Sequence, residues 1–276
     1  MQYVQLTESG SKDDLSLGLV RLNSISGQVW VDQGGVYGAL VAAVVSLTDV
    51  QGNAYGSVTT AEDGNYQFDG LLPGDYYVSV QLPEGYLVVE PTDARLENNE
   101  HTSVIAQCSG RTGQSDVITV KMTETYQGMD IGSVLPGKLG DLCWLDENGN
   151  GLWDYDEKGL AGVKIELMRG GQVMQEVTSD QYGYWQMENV YPATYTLRVT
   201  PPAEVKPTKP NTAVPALTSV LEETEDTVCL SSLVTVTSAK NNYQADMGFV
   251  LRTSGVYPEG FGEAATQDWT KTVLGE

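Results

Sequence analysis

Histidine is almost missing from this chain, phenylalanine is scarce, and no two cysteines stand in a CxxC spacing. The single histidine, His101, lies in the polar run ENNEHTS, and neither a GxSxG turn nor a phosphate-binding loop accompanies it. Nucleophile–base pairs and phosphate cradles therefore have little to form from, and the chain reads as a non-enzyme. The three cysteines, Cys108, Cys143 and Cys229, give no zinc framework. Their odd number leaves at least one without an intrachain partner. Cys143 and Cys229 are open either to a disulfide or to a place as small buried apolar residues. No apolar run is long enough to span a membrane, so no membrane insertion is expected within this segment. Neither a leader at Met1 nor an anchor at the closing KTVLGE stands out, and the chain reads as a piece of something longer. Basic residues are also few: 15 against 37 acidic ones, for a net charge of -22. That field repels phosphate backbones and anionic lipids, which argues against nucleic acid and membrane surfaces as partners and leaves cations free to approach.

What is present is repetition. GQVWVD (27–32) aligns with DLCWLD (141–146), placing Trp30 and Trp144 at equivalent points 114 residues apart. GALVAAVVSL (38–47) aligns with KGLAGVKIEL (158–167), and EDGNYQFDGLLPGDYYVSV (62–80) with QYGYWQMENVYPATYTLRV (181–199). ITVKMTETYQGMDIGSV (118–134) aligns with VTVTSAKNNYQADMGFV (234–250), and SKDDLSLGLV (11–20) carries the same ending, so that Gly18, Gly132 and Gly248 correspond. A period of this length fits a string of domains rather than a solenoid. The expected division is the closing strands of a truncated copy over 1–22, complete domains over 23–135 and 136–252, and a linker or disordered tail over 253–276. Val29 and Val31, then Val163, Ile165 and Leu167, then Tyr195, Leu197 and Val199 alternate with other residues as half-buried strands do. Asp-Gly, Tyr-Gly and Pro-Gly pairs supply turns. Each copy is thus expected to be all-β, an antiparallel sandwich of roughly seven short strands. Only 212–223 weakly resembles a helix.

One turn breaks the pattern by its acidity: WLDENGNGLWDYDEKG (144–159). Counted from Asp146, Asn148 and Asn150 fall at positions 3 and 5, Gly151 at 6, Leu152 at 7, Asp154 at 9 and Glu157 at 12, the spacing of a calcium loop. Calcium takes six to eight hard oxygens, and a curling loop presents alternate side chains inward. Asp146, Asn148, Asn150, the Leu152 carbonyl, Asp154 and Glu157 are the expected ligands of a Ca2+ ion, with Gly151 permitting the bend. Helices should flank an EF-hand loop, whereas strand patterns flank this one. The matching turn of the first copy, DQGGVYG, is six residues shorter and keeps almost none of the ligands, so any ion would stabilise rather than catalyse.

The run DENGNGLWDYDEKGLAGVKIEL, with a following strand–turn–strand such as DGNYQFDGLLPGDYYVSV, resembles the B domains of serine-aspartate-repeat surface proteins, within the wider group of collagen-adhesin B-type domains of Gram-positive bacteria. The resemblance implies tandem Ig-like or prealbumin-like sandwiches of Greek-key type that bind calcium and serve as a stalk. It also implies a cell-surface location outside the cell and neighbouring repeat domains of the same chain as partners. Some relatives in that group carry a Lys–Asn or Lys–Asp isopeptide bond; here only Lys138 and Asp246 fall near the required places, and YTLRV carries Arg198 and no acid. A second function reading is a module that binds a glycan or a host protein through Tyr76, Tyr77, Trp153, Tyr155 and Trp185. Asp130 and Asp246, each two residues before the repeated glycine, are expected to make structural hydrogen bonds.

Overall fold

The structure, a computed structural model, describes residues 22–97, 101–122, 124–211, 213, 218–222 and 226–252. Residues 1–21, which fall in the expected truncated copy, and the tail from 253 onward lie outside the described residues, as does half of the helix-like stretch 212–223. Within that stretch, Thr218 and Leu221 form isolated β-bridges to Leu152 and Ser231.

Two sandwiches follow one another. In the first, β1 (Asn23–Asp32), β2 (Tyr37–Ala39), β5 (Asn65–Leu71), β7 (Leu87–Val88) and β11 (Ile131–Val134) form one layer. The opposing layer contains β3 (Val44–Asp49), β4 (Ala54–Thr59), β6 (Gly74–Gln81), β8 (Ile105–Ser109), β9 (Thr112–Ser115) and β10 (Ile118–Val120). The second sandwich repeats the plan. Its first layer holds β12 (Gly137–Leu145), β13 (Lys158–Gly159), β16 (Tyr184–Val190), β18 (Val205–Pro207) and β21 (Met247–Leu251). Facing it are β14 (Lys164–Arg169), β15 (Gln172–Thr178), β17 (Thr194–Thr200), β19 (Cys229–Leu230) and β20 (Val234–Thr235). The strands outnumber the seven per copy read from the sequence, because several are only two or three residues long. Besides strands, a 3-10 turn covers Ala94–Leu96.

Alternation sets the cores. Val45 and Leu47 face Val78 and Val80 in the first sandwich; Ile165 and Leu167 face Leu197 and Val199 in the second, all at most 4% exposed. Each such side chain contributes roughly 1.5–3 kcal/mol by leaving water. The two cores are separate clusters, one running from Ile25 to Ile131 and the other from Leu139 to Phe249. Cys143 and Cys229 lie in the second core as free thiols, so the buried-apolar alternative holds.

Among the described residues the named strands pair antiparallel except for the last strand of each sandwich, which lies parallel to the first; isolated parallel bridges Ile25–Tyr126 and Leu139–Asn242 extend that contact. β11 pairs β1 with Trp30 opposite Gly132, and β21 pairs β12 with Trp144 opposite Gly248. This pairing explains the repeated glycine. A Cβ on Gly132 would stand 2.5 Å from Trp30 Cζ2, and one on Gly248 would stand 2.6 Å from both Trp144 Cζ2 and Thr208 Cγ2. The indole lies where a side chain would otherwise rise.

The sandwiches meet end to end. Only Leu135 and Pro136 separate β11 from β12. The exit end of the first sandwich, at Asp32 and Val134, touches the entry end of the second. There Ser238 Oγ donates to the Asp32 carbonyl at 2.6 Å and accepts from Leu135 N–H at 3.1 Å. Tyr191 packs on the small cluster of Trp30, Val89 and Val134.

Gly248→Ala is expected to destabilise the second sandwich by about 1–3 kcal/mol, because the indole and Thr208 cannot both withdraw. Urea unfolding followed by tryptophan fluorescence reads the change, and an unaltered midpoint would refute the ring-over-glycine account.

Candidate metal-binding loop

Trp144 and Leu145 pair with Gly159 and Lys158, so residues 146–157 form the end loop of the β12–β13 hairpin. Gly149 and Gly151 adopt positive φ angles of 71° and 76°, a region that costs other residues strain. Gly151 is further constrained, since a Cβ there would stand 2.1 Å from the Lys209 carbonyl oxygen.

Asp146 is the hub of the loop and only 2% exposed. Its Oδ1 accepts from Gly149 N–H at 2.7 Å and Asn150 N–H at 3.1 Å, and its Oδ2 from Gly151 N–H at 2.8 Å and Thr208 Oγ1 at 2.5 Å. Asn148 Oδ1 accepts from Asn150 N–H, and Asn150 Oδ1 from Leu152 N–H. The amide groups of Asn148 and Asn150 both donate to Asp154 Oδ2 at 2.7 Å. Glu157, 3% exposed, closes the ring, with Oε1 accepting from Glu147 N–H and Oε2 from Asp154 N–H, each at 3.0 Å. The expected ligands thus share one hydrogen-bonded ring, and Leu152 enters it through its N–H. Among the described residues, no three His, Cys, Asp or Glu side chains form a metal-holding cluster by themselves. A shell would therefore need the asparagine oxygens and a carbonyl as well. To supply those oxygens, the two amides would turn away from Asp154.

Burial and like charge act together at Glu157. Burial first, then the charges of Asp146 and Asp154, push its carboxyl up to about 7, against the pull of the Asp154 and Glu147 N–H groups. Nearer the entry end, burial raises the pKa of both Asp141 and Asp246, whose carboxyls hydrogen-bond each other. Asp246 Oδ1 also accepts from Leu142 N–H at 3.4 Å, and Asp130 Oδ1 from Gln28 N–H at 2.9 Å, the structural role expected of both.

Three contributors have no mark in the loop's own spacing. Thr208 reaches Asp146 from beyond β18, Asn211 Nδ2 donates to the Asn150 carbonyl at 3.0 Å, and Thr218 Oγ1 to that of Gly151 at 3.2 Å. The repeat alignment holds a faint signal, since Thr208 stands where the first copy has Val89, in the same bond to the repeated glycine. Other candidates disperse. Tyr76 and Trp185, read as members of an exposed aromatic face, are 2% and 4% exposed because their strand positions point into the cores. Of that set Tyr155 alone is largely open, at 82%. His101 stacks on Tyr37 with ring centroids 3.7 Å apart. Lys138 Nζ pairs with Glu188 at 2.7 Å.

The family model described as "SdrD B-like domain" matches twice, over residues 26–133 and 137–249. The serine-aspartate repeat-containing protein D of Staphylococcus aureus is 30% identical over 234 residues, 82% of this chain and 16% of that protein. Protein F of the same description, from Staphylococcus epidermidis, is 31% identical over 169 residues, 60% of this chain and 9% of that protein. Colossin-A of Dictyostelium discoideum is 29% identical over 208 residues, 71% of this chain and 2% of that protein. The chain therefore spans less than a fifth of each of these relatives. Among solved structures, a streptococcal ancillary pilin aligns at 12% identity and a TM-score of 0.37, covering 84% of this chain and 63% of that one.

An unfolded glutamic acid titrates near 4.3, so the raised folded value at Glu157 makes its stabilising contribution complete below about pH 4.3 and lost as the pH rises through about 7. The Asp141–Asp246 pair acts with the same sign. With divalent ions chelated, the urea midpoint of the second sandwich is expected to fall from about pH 5 to about pH 8, and Glu157→Gln to flatten part of that fall. A midpoint that climbs over the same range contradicts the assignment.

Proposed function

The chain belongs to the SdrD B-like domain family, and from that premise we propose that it is a stalk segment of a bacterial cell-surface adhesin. In this reading residues 23–135 and 136–252 are two spacer modules working outside the cell, with neighbouring repeats of the same chain as their partners. The second module is stiffened by calcium held by Asp146, Asn148, Asn150, the Leu152 carbonyl, Asp154 and Glu157. The observation that carries the reading is the end-to-end joint. A two-residue connection, a shared apolar contact at Tyr191 and hydrogen bonds through Ser238 make one module continue into the next. A spacer needs that continuity.

The loop supports the calcium part through its donor set, which is hard oxygen throughout. The ion, when bound, supplies positive charge at the centre of several carboxylates. Asp146, already oriented by three backbone N–H groups and Thr208, offers a preset first ligand. Glu157 would have to lose its proton to serve as a ligand, and the burial that raises its affinity for a proton would also strengthen its attraction to a cation. With affinity in the range of extracellular modules, Kd on the order of 0.1–1 mM, millimolar calcium would contribute roughly 0.4–1.4 kcal/mol.

Scanning calorimetry tests this directly. Calcium is expected to raise the transition of the second module by a few degrees and leave that of the first in place, and Asp146→Asn combined with Glu157→Gln is expected to abolish the shift. Identical traces with calcium and with chelator would remove the calcium claim.

A further inference from the structure

Asp32 is the first module's counterpart of Asp146. Each follows the first-strand tryptophan by two residues, Asp32 as the last residue of β1 and Asp146 just past the end of β12, and each is buried, at 4% and 2% exposure. A carboxylate removed from water needs hydrogen bonds or a counter-charge to offset its lost hydration. The second module surrounds Asp146 with loop N–H groups. The first module's shorter turn supplies Asp32 Oδ1 with Gly35 N–H, at 2.7 Å. Its Oδ2 meets something of another kind, the Arg95 guanidinium, with Nε 2.6 Å away.

Arg95 is held on a second side too. Its Nη1 lies 2.6 Å from Asp93 Oδ2, and Asp93 Oδ1 accepts from Arg95 N–H at the start of the 3-10 turn. That same Asp93 Oδ2 accepts the Tyr191 hydroxyl of the second module at 2.5 Å. Tyr191 in turn accepts from Glu90 N–H at 3.0 Å, while Arg169 of the second module grips the Glu90 carboxylate at 2.7 and 3.0 Å and lies over the Tyr191 ring. An unbroken chain of contacts thus runs from Asp32 through Arg95 and Asp93 to Tyr191.

We infer that Arg95 is a built-in cation: it does for Asp32 what a bound ion would do for Asp146, and through Asp93 it clamps the two modules together without calcium. A guanidinium stays charged at all ordinary pH values and presents a rigid fork that suits two carboxylates. Being covalently attached, it cannot be removed by a chelator or diluted away, unlike a ligand bound by mass action. The inference goes beyond the calcium reading and predicts a different response: the joint should not respond to the ion at all.

Spin labels at Gln51→Cys and Gln172→Cys, in a Cys108→Ser background, report the distance between modules. In otherwise wild-type chain the distribution is expected to be narrow and the same in chelator as in millimolar calcium. Arg95→Gln is expected at least to double its width in both conditions. Tyr191→Phe, which removes only the hydroxyl link and leaves Arg95 and Asp32 paired, should broaden the distribution while the first module keeps its melting temperature. It decides the matter should Arg95→Gln fail to fold. A joint that is broad in chelator and sharpens on adding calcium would overturn the inference, and so would Tyr191→Phe with the wild-type width. Either result leaves the calorimetric test of the second module's loop untouched, so failure here is distinct from failure there.

Discussion

The parallel pairing of the last strand with the first governs where everything else in each module lies. Because β11 runs beside β1, the end of β1 emerges where the chain leaves the module, and β12 and β21 repeat the arrangement. The first interstrand connection is thereby delivered to the exit end. In the first module that end carries Asp32 and abuts the next module; in the second it carries the acidic loop. Close approach of the paired strands also requires the glycine beneath each tryptophan, so one geometric choice sets both the packing of the layer and the address of its charged residues.

At that address the chain solves one electrostatic problem in two ways. A buried aspartate is costly unless its charge is met. The first module answers with a side chain from 63 residues away, Arg95, held by Asp32 and Asp93. The second spends six more residues on a loop whose backbone N–H groups converge on Asp146 and whose other oxygens cluster nearby. Arg95 fixes its partner permanently and leaves the turn short. The loop gathers several carboxylates at once, and burial first, then the charges of Asp146 and Asp154, raise the carboxyl of Glu157, so its protonation follows the surrounding pH. The two modules share a frame and differ in how the buried aspartate at the exit end is met, by Arg95 in one and by loop N–H groups in the other.

Much of this was legible in the sequence. Val163, Ile165 and Leu167, and Tyr195, Leu197 and Val199, alternate because one face of each strand is dry, and all six are buried. The twelve-residue spacing from Asp146 to Glu157 was readable because those contacts are local. What escaped was non-local. Periodicity states which face a strand buries and not which strand lies beside it, so the parallel partner of β1 was invisible. Thr208 touches Asp146 from 62 residues away, and Tyr191 touches Asp93 from 98, distances at which no local pattern survives. Tyr76 and Trp185 were open to two places for a related reason: an aromatic on a strand is equally at home on either face, and here the cores took them, as bracing of a sheet requires.

The joint gains meaning from the charge around it. A short connection limits how far two modules can separate but does not by itself orient them. Orientation comes from contacts, and at this joint they include a bidentate Arg169–Glu90 pair, the Asp93–Tyr191 bond and Ser238 bridging Asp32 and Leu135. Exposed ion pairs are individually weak. Those here are half-buried and share Tyr191, so loosening one exposes its neighbours to water and to the others' unmet charge. Net charge works in the same direction: the whole chain carries -22, and like charges repel wherever they are not locally matched, which disfavours folding back and favours the arrangement in which cations and acids face each other. Local attraction at the ends and general repulsion along the sides thus act together on how one module follows the next.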